Sequence, residues 1–183
     1  KQKKNWQKNG AIQIEFKGEV ERAVNRFIAD LPFKLTNAQR KASWEIINDL
    51  AKSVPMNRLL EGDVGSGKTI VALMAALNTI KNDYQVLWMA PTEILANQHY
   101  QTAYNLLKNF DVNVSLITSK KVRVSSKSKC KKKSILKSLA QDSELIIGTH
   151  ALIQKDCKYK NIGLVIIDEQ HRFGVKQRAK LAA

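Results

Sequence analysis

The spacing of apolar residues along the chain predicts strands and helices in alternation. Four apolar runs have the length of strands and end at polar or turn-forming positions, namely 85–90, 112–118, 144–147 and 163–167. The shorter run Leu59-Leu60 predicts a further strand. Apolar positions three or four residues apart predict helices over 36–52, 68–81, 92–109 and about 134–140. The pattern is that of an α/β protein.

Two of the predicted helices begin at recognisable capping residues. Thr36 and Gln39 have the spacing of a capping box, in which each side chain bonds to the backbone N–H of the other residue. Pro91 ends the preceding strand, and Thr92 can cap the helix that follows. Trp44 and Trp88 lie in helical and strand patterns, so we expect both in the core rather than in contact with nucleic-acid bases.

Strands that alternate with helices predict a mainly parallel, twisted sheet with helices on both faces. Ligands of such sheets bind outside the carboxyl ends of the strands. We therefore expect the functional residues in the loops that follow the strands.

One such loop has the composition of a phosphate-binding loop, since residues 62–69 read GDVGSGKT. Glycines let the backbone turn its N–H groups onto phosphate oxygens, and the following helix adds its unpaired N–H groups. The lysine supplies a point charge for the β- and γ-phosphates, and the threonine hydroxyl can ligate Mg²⁺. The candidate nucleotide-binding residues are Gly62, Asp63, Val64, Gly65, Ser66, Gly67, Lys68 and Thr69.

A pair of carboxylates, Asp168 and Glu169, follows the last predicted strand. One carboxylate can hold a metal ion, and the other can polarise a water molecule. Together with the phosphate-binding loop, the pair predicts a site that hydrolyses ATP or GTP. In this hypothesis Thr69 and Asp168 are the metal ligands, and Lys68 and Glu169 are catalytic.

Composition narrows the class of protein. A chain of 183 residues suffices for one domain with a hydrophobic core, and 44% hydrophobic with 26% charged residues is usual for a globular protein. No apolar run reaches the length of a membrane span, and no signal-peptide core follows the basic N-terminus. Cys130, Cys157 and the three histidines are too scattered to suggest a metal cluster. We expect free thiols and a cytoplasmic protein.

The net charge of +15 adds a polyanion to the candidate ligands. Residues 118–137 contain nine basic residues and no acidic one, which is typical of a mobile basic loop that leads into a helix. Such a run is either a solvated stretch that aids solubility or a contact with nucleic acid, where each neutralised phosphate releases counterions. Beside a nucleotide site we favour DNA, with Lys131, Lys132 and Lys133 as candidate contacts.

Five segments resemble, in order, the motifs of the bacterial RecG family of superfamily 2 DNA helicases. They are LPFKLTNAQ (31–39), GDVGSGKT (62–69), APTEILA (90–96), GTHALI (148–153) and DEQHRFGV (168–175). The resemblance implies a three-layer α/β/α fold of RecA-like type. It also implies the use of ATP and Mg²⁺ to remodel branched DNA, as at replication forks and in DNA repair and recombination. Ser66, residues 93–95 and Gln170 favour RecG over the transcription–repair coupling factor, whose motor is similar.

The resemblance assigns roles to three further residues. It makes Gln39 an adenine-reading glutamine, although one amide cannot cap a helix and read a base at once. We expect adenine binding, with capping when no nucleotide is bound. Phe33 would stack on the adenine or, alternatively, pack in the core. His171 would link hydrolysis to the DNA-bound state.

Two of the five segments, 90–96 and 148–153, resemble the corners at which these helicases contact the DNA backbone. They make Pro91 and Thr92, and Gly148 and Thr149, candidate DNA-binding residues. For each pair the alternative is a strand stop followed by a helix cap. The two roles are compatible, because a helix N-terminus is itself a phosphate site.

The resemblance covers only the first motor lobe of the family. The Ser/Thr-Ala-Thr coupling motif, the second motor lobe with its arginine fingers and most of the wedge domain are not found in the 183 residues. We expect 1–30 to be a helical or linker segment and 31–183 an incomplete ATP-binding lobe, with the rest supplied in cis or by a separate chain. The alternative to an active motor lobe is a nucleotide- and DNA-binding module without useful turnover.

Overall fold

A computed structural model describes residues 10–119, 122–124, 143–153 and 159–169. The chain divides into two compact units, Lys1–Asn82 and Asp83–Ala183. The described part of the first unit is helical and carries the loop 62–69, and that of the second contains a sheet and carries Asp168 and Glu169. No helix in the described ranges is long and apolar enough to cross a membrane.

Three helices are described in the first unit: α1 (Gly18–Ala29), α2 (Asn37–Leu50) and α3 (Lys68–Ile80). Both α1 and α2 pack against α3, which is buried around most of its circumference. A helix that is apolar nearly all round is typical of a core position. The predicted capping box starts α2: Thr36 N–H donates to Gln39 Oε1 at 2.9 Å, and Gln39 N–H donates to Thr36 Oγ1 at 3.2 Å.

An ion-pair cluster holds Arg58 against α2. Its guanidinium donates to Asp49 from Nε at 2.9 Å and to Glu45 from Nη1 at 2.8 Å. Lys52 donates to the same Asp49 carboxylate at 2.6 Å. The hydrogen bond from Lys52 first, and that from Arg58 second, hold the pKa of the Asp49 carboxyl below its usual value.

The strand predicted at Leu59-Leu60 is not formed, so this prediction was wrong. Residues 55–63 have neither helical nor strand structure, and Leu59 is 68% exposed. Two apolar residues between Arg58 and Glu61 provide too little apolar surface to bury a strand, and Arg58 is engaged by α2. The phosphate-binding loop therefore follows an irregular segment.

The described part of the second unit contains a five-stranded sheet. Its strands are β1 (Gln85–Met89), β2 (Val114–Ile117), β3 (Val122–Val124), β4 (Leu145–Gly148) and β5 (Ile162–Ile167). In the sheet they lie in the order β3-β2-β4-β1-β5. The β2–β4, β4–β1 and β1–β5 pairs are parallel, and β2–β3 is antiparallel. The predicted mainly parallel sheet is confirmed.

The central strands lie in a continuous core. Every residue of β1, β2 and β4 is buried, which explains their uninterrupted apolar sequences. Helix α4 (Glu93–Leu107) packs on β2 and β4. A short 3₁₀ helix, His150–Ile153, follows β4 and adds Leu152 to a cluster with Leu87 and Ile146. These contacts fix the carboxyl ends of β1 and β4.

The two tryptophans with predicted core positions differ. Trp88 is 2% exposed in β1, as predicted. Trp44 is 55% exposed on α2, where it makes an edge contact with Phe16, so the prediction was wrong for this residue. The buried stripe of α2 instead contains Ile46 and Ile47.

Strand β3 corrects the prediction that 118–137 is a loop up to the start of a helix at about 134. Val122 and Val124 pair with Ile117 and Ser115 of β2. Valines on either side of Arg123 favour an edge strand, and the exposed arginine is the kind of residue that protects such an edge from further pairing. Most of the basic stretch, with the predicted helix at 134–140, lies outside the described residues.

Candidate functional site

The loop 62–69 has a backbone suited to phosphate binding. Gly65 and Gly67 have φ angles of +82° and +83°, which glycine adopts without the steric cost of a Cβ atom. Ser66 N–H closes the turn by donating to Asp63 O at 3.1 Å. Gly67 is the N-cap of α3, so the loop leads directly into the positive end of that helix dipole. Residues 62–66, including Val64, are exposed, and 67–69 are half-buried.

Lys68 bonds to the loop that precedes it. Its Nζ donates to Gly62 O at 2.6 Å and to Asp63 O at 2.8 Å. These uncharged acceptors are weaker than a phosphate oxygen, which can therefore replace them. The next residue, Thr69, places a hydroxyl in the first turn of α3.

Gln39 connects the start of α2 to the same loop. Besides its part in the capping box, its Nε2 donates to Ser66 O at 2.8 Å. A Cβ atom at Gly67 would lie 2.4 Å from that nitrogen, so a side chain at 67 would displace the Gln39 amide. The capping box is predictable from the sequence, but the contact with Ser66 is not, because no local pattern predicts a bond between residues 27 positions apart.

A cleft of about 380 Å³ lies in the first unit beside the start of α2. Its lining includes Leu31, Pro32, Phe33 and Arg40, and it does not include Gln39. Phe33 is 46% exposed, so the core-packing alternative for this ring is not supported. A planar base could stack on Phe33 here, and adenine binding by Phe33 and Gln39 stays a prediction.

In the second unit, Asp168 and Glu169 follow β5 directly. Asp168 N–H donates to Met89 O at 2.9 Å, which continues the pairing with β1 beyond the strand. Glu169 is exposed and has a φ of +49°, a left-handed conformation that is uncommon for a residue with a side chain. Backbone strain of this kind clusters at active sites, so it points, as a hypothesis, to function.

His99 contacts the Asp168 carboxylate and was missed by the sequence reasoning. Its Nε2 lies 2.8 Å from Asp168 Oδ2, and its ring stacks on Trp88 at a centroid distance of 4.8 Å. One signal could have found it, because His99 follows Ala96 and precedes Ala103 at helical spacing on the buried face of α4. A polar residue on an apolar stripe needs a partner.

The two predicted DNA-binding corners differ in what they expose. Thr92 caps α4 by accepting from Leu95 N–H at 3.2 Å, and it is exposed beside half-buried Pro91. Gly148 is buried at the end of β4, where an added Cβ atom would lie 2.1 Å from Ile117 O. Thr149 is half-buried. The structure thus gives Gly148 a packing role, and DNA contact at both corners stays a prediction.

Several predicted residues, namely His171, Gln170, Lys131, Lys132 and Lys133, lie outside the described residues. Within the described ranges, no group of three or more His, Cys, Asp or Glu could hold a metal ion. Mg²⁺ usually takes only one or two protein oxygens beside phosphate oxygens and waters. The Thr69 hydroxyl and the Asp168 carboxylate are oxygen donors of the type that it prefers.

Comparison with known proteins decides the family. Residues 36–183 match the family model described as "DEAD/DEAH box helicase". The chain belongs to the DEAD/DEAH box helicase family. The matched span contains both the phosphate-binding loop and the acidic pair, and of the five segments only residues 31–35 lie outside it.

Similar proteins within this family are RecG helicases. The chain is 52% identical over 162 residues to the ATP-dependent DNA helicase RecG of Aquifex aeolicus, covering 88% of this chain and 20% of that protein. It is 46% identical over 180 residues to RecG of Thermotoga maritima, covering 98% and 22%. The predicted resemblance to RecG is confirmed.

A solved structure of RecG bound to a three-way DNA junction supports the same conclusion. It superposes with a TM-score of 0.80 at 44% identity, covering 94% of this chain and 22% of that one. The RecA-like α/β fold class is therefore confirmed. The chain spans about a fifth of the length of the curated relatives that it matches.

Proposed function

We propose that the chain is the nucleotide-binding motor lobe of an ATP-dependent DNA helicase that remodels branched DNA. The observation that carries the proposal is the loop 62–69, with its two left-handed glycines, Lys68 folded over it and α3 beginning at its end. The identity to RecG, including a RecG bound to a three-way DNA junction, supports branched DNA as the partner.

In this proposal residues 31–183 form the ATP-binding lobe, and residues 1–30 precede it as a helical or linker segment. The second motor lobe and the wedge domain are supplied in cis or by a separate chain. The protein acts in the cytoplasm, where its DNA substrate is found.

Catalysis consists of positioning and charge stabilisation at the γ-phosphate. Lys68 exchanges the carbonyls of Gly62 and Asp63 for phosphate oxygens, while the loop N–H groups and the N-terminus of α3 hold the remaining charge. Thr69 and Asp168 are the proposed Mg²⁺ ligands. Held by these two oxygen donors, Mg²⁺ would supply positive charge against the negative charge that develops on the phosphate oxygens.

Glu169 orients the attacking water and accepts its proton. Glu169 is an exposed carboxylate at the carboxyl end of the parallel strand β5, and ligands of such sheets bind outside the carboxyl ends of the strands. We propose that His171 links this step to the DNA-bound state. Phe33 and Gln39 take the adenine, for which Gln39 would release its bonds to Thr36 and Ser66.

The DNA-binding residues in this proposal are at three places. Thr92 and the N–H groups of the first turn of α4 face a backbone phosphate, with Pro91 shaping the corner. Thr149 acts similarly after β4, where Gly148 permits the close packing of the strand end. The lysines at 131–133 supply positive charge along the DNA path.

Nucleotide binding and turnover by the 183-residue chain test the proposal. Binding of the analogue AMP-PNP is measured by calorimetry, and hydrolysis of ATP is measured with and without a three-way DNA junction. The proposal predicts Mg²⁺-dependent AMP-PNP binding that is lost in Lys68→Ala, because the mutation removes the point charge of the loop. A chain that binds neither AMP-PNP nor the junction contradicts it.

A second candidate function is a nucleotide- and DNA-binding module without useful turnover. The observation that favours it is the coverage of only about a fifth of the RecG relatives. An arginine supplied by a second lobe is worth on the order of 10³–10⁵ in rate, so the chain alone would hydrolyse ATP very slowly. Binding of AMP-PNP and DNA without stimulated ATP hydrolysis identifies this case.

A further inference from the structure

Three side chains form a continuous array in the second unit, from the core to the end of β5. Trp88 of β1 is buried, and the His99 ring of α4 stacks on it with an interplanar angle of 28°. On its other side, His99 Nε2 lies 2.8 Å from Asp168 Oδ2. The His99 and Asp168 side chains are 13% and 28% exposed. The array thus joins a rigid core residue to a carboxylate near the surface.

The chemistry of the contact determines its direction. An ionised carboxylate only accepts hydrogen bonds, so Nε2 of His99 carries the hydrogen and donates it to Oδ2. Stacking on Trp88 restricts rotation of the imidazole plane, because the indole cannot move within the core. The backbone of Asp168 is also fixed, since its N–H bonds to Met89 O. With both ends held, the bond sets the rotation of the carboxylate group.

We infer that His99 is a positioning residue that orients Asp168 for the metal ion of the nucleotide complex. The inference rests on the proposed function, in which Asp168 is a Mg²⁺ ligand. The class of ligand is a divalent cation bound with a nucleoside triphosphate, and His99 acts on it only through Asp168. Partners of metal ligands that fix their orientation typically account for about 10- to 100-fold in metal affinity.

Two substitutions separate the hydrogen bond from the stacking. His99→Phe keeps an aromatic ring against Trp88 and removes the donor. His99→Gln removes the ring but retains an amide N–H at the distance of Nε2 from the backbone. Asp168→Asn removes the proposed ligand itself and shows how much metal dependence is lost when the carboxylate is absent. Thermal denaturation of each variant shows that the unit is folded.

The measurement is the affinity of the full chain for AMP-PNP by calorimetry, in excess Mg²⁺ and in EDTA at one pH. The ratio of the two affinities is the metal dependence, and it needs no turnover. We expect His99→Phe to reduce this ratio by about tenfold, at the lower end for such partners, and His99→Gln to restore most of it. Affinity in EDTA should be the same in the wild type and the two His99 variants, which leave the charge of Asp168 unchanged. Added to Asp168→Asn, His99→Phe should cause no further loss.

Three results overturn the inference: a wild-type ratio in His99→Phe, an equal loss in His99→Gln, or a further loss in the double variant. In each of these the wild type still binds AMP-PNP in a Mg²⁺-dependent way, so the proposed function stands. A wild type whose affinity is the same in Mg²⁺ and EDTA refutes the metal role of Asp168 itself. Paramagnetic resonance of Mn²⁺ in the AMP-PNP complex provides a second readout, since the loss of His99 should change the ligand field.

Discussion

Replacement of Gly67 by alanine should destabilise the first unit more than replacement of Gly65 by alanine, although the two glycines have nearly the same φ. Gly67 has a φ of +83°, and an added Cβ atom would lie 2.4 Å from Gln39 Nε2. Gly65 has a φ of +82°, but its Cβ atom would meet nothing within 4 Å. Comparison of Gly65→Ala with Gly67→Ala therefore separates the cost of backbone strain from the cost of the contact between the new Cβ atom and Gln39.

The magnitude follows from two contributions. A residue with a side chain in the left-handed region costs about 1–2 kcal/mol, and this cost applies to both Gly65→Ala and Gly67→Ala. Only Gly67→Ala displaces the Gln39 amide from Ser66 O, for which about 1 kcal/mol is a typical net loss. We expect a total of about 2–3 kcal/mol for Gly67→Ala.

Urea unfolding of the chain, followed by circular dichroism, measures both variants. The decisive comparison is made in a Gln39→Ala background, where the amide that the new Cβ atom would meet is gone. There the cost of Gly67→Ala should fall to that of Gly65→Ala. Equal costs in the wild-type background, or an unchanged excess in the Gln39→Ala background, would show that Gln39 does not lie against Gly67.

Four further results are expected. Lys68→Ala should abolish AMP-PNP binding by calorimetry, because in the proposed site this ammonium provides the charge for the β- and γ-phosphates; unchanged affinity contradicts that role. In a protein that carries both motor lobes, Glu169→Gln should retain Mg²⁺-dependent AMP-PNP binding and lose ATP hydrolysis, since an amide cannot accept the proton of water; surviving turnover excludes Glu169 as the base. The pKa of Asp49 is lowered in the folded state, so the stabilisation by its carboxylate is present above the unfolded pKa of about 3.9 and is lost as pH falls through the folded value. Asp49→Asn should therefore cost about 1 kcal/mol at neutral pH and progressively less below pH of about 4, and a pH-independent cost in urea unfolding would rule out the ion pairs with Lys52 and Arg58 as the cause. Serines in place of the lysines at 131–133 should flatten the dependence of DNA affinity on salt by about 0.9 in log–log slope for each lost phosphate contact, and a wild-type slope returns these lysines to a solvated role.

Local patterns were sufficient to predict most of the helices and strands. The capping box at Thr36 and the cap at Thr92 are short-range hydrogen bonds, and both are present where the sequence places them. The apolar runs that became β1 and β4 are buried on both faces, so no alternation was needed to recognise them. At Leu59-Leu60 the apolar pattern was short and no strand formed, and the adjacent Arg58 instead forms an ion pair with Asp49 of α2.

The contacts that complete the candidate site could not be predicted in this way. Gln39 meets Ser66 across 27 positions, and His99 meets Asp168 across 69. Both contacts join segments that are distant in sequence, and the spacing of apolar residues within one segment does not predict which other segment it will contact. The motifs predict which residues contact the nucleotide and the metal ion, and only the fold revealed the contacts that Gln39 and His99 make with those residues.

Glu169, the proposed catalytic base, departs from a sequence rule for turns. Its φ of +49° is a conformation for which turn rules predict glycine or asparagine, and a side chain there costs about 1–2 kcal/mol. Glycine would relieve that strain but would supply no carboxylate beside the end of β5. The chain thus retains glutamate against the local preference of the backbone. This is what is expected if the carboxylate performs chemistry, because strain persists at sites where the surrounding structure holds a reacting group in place.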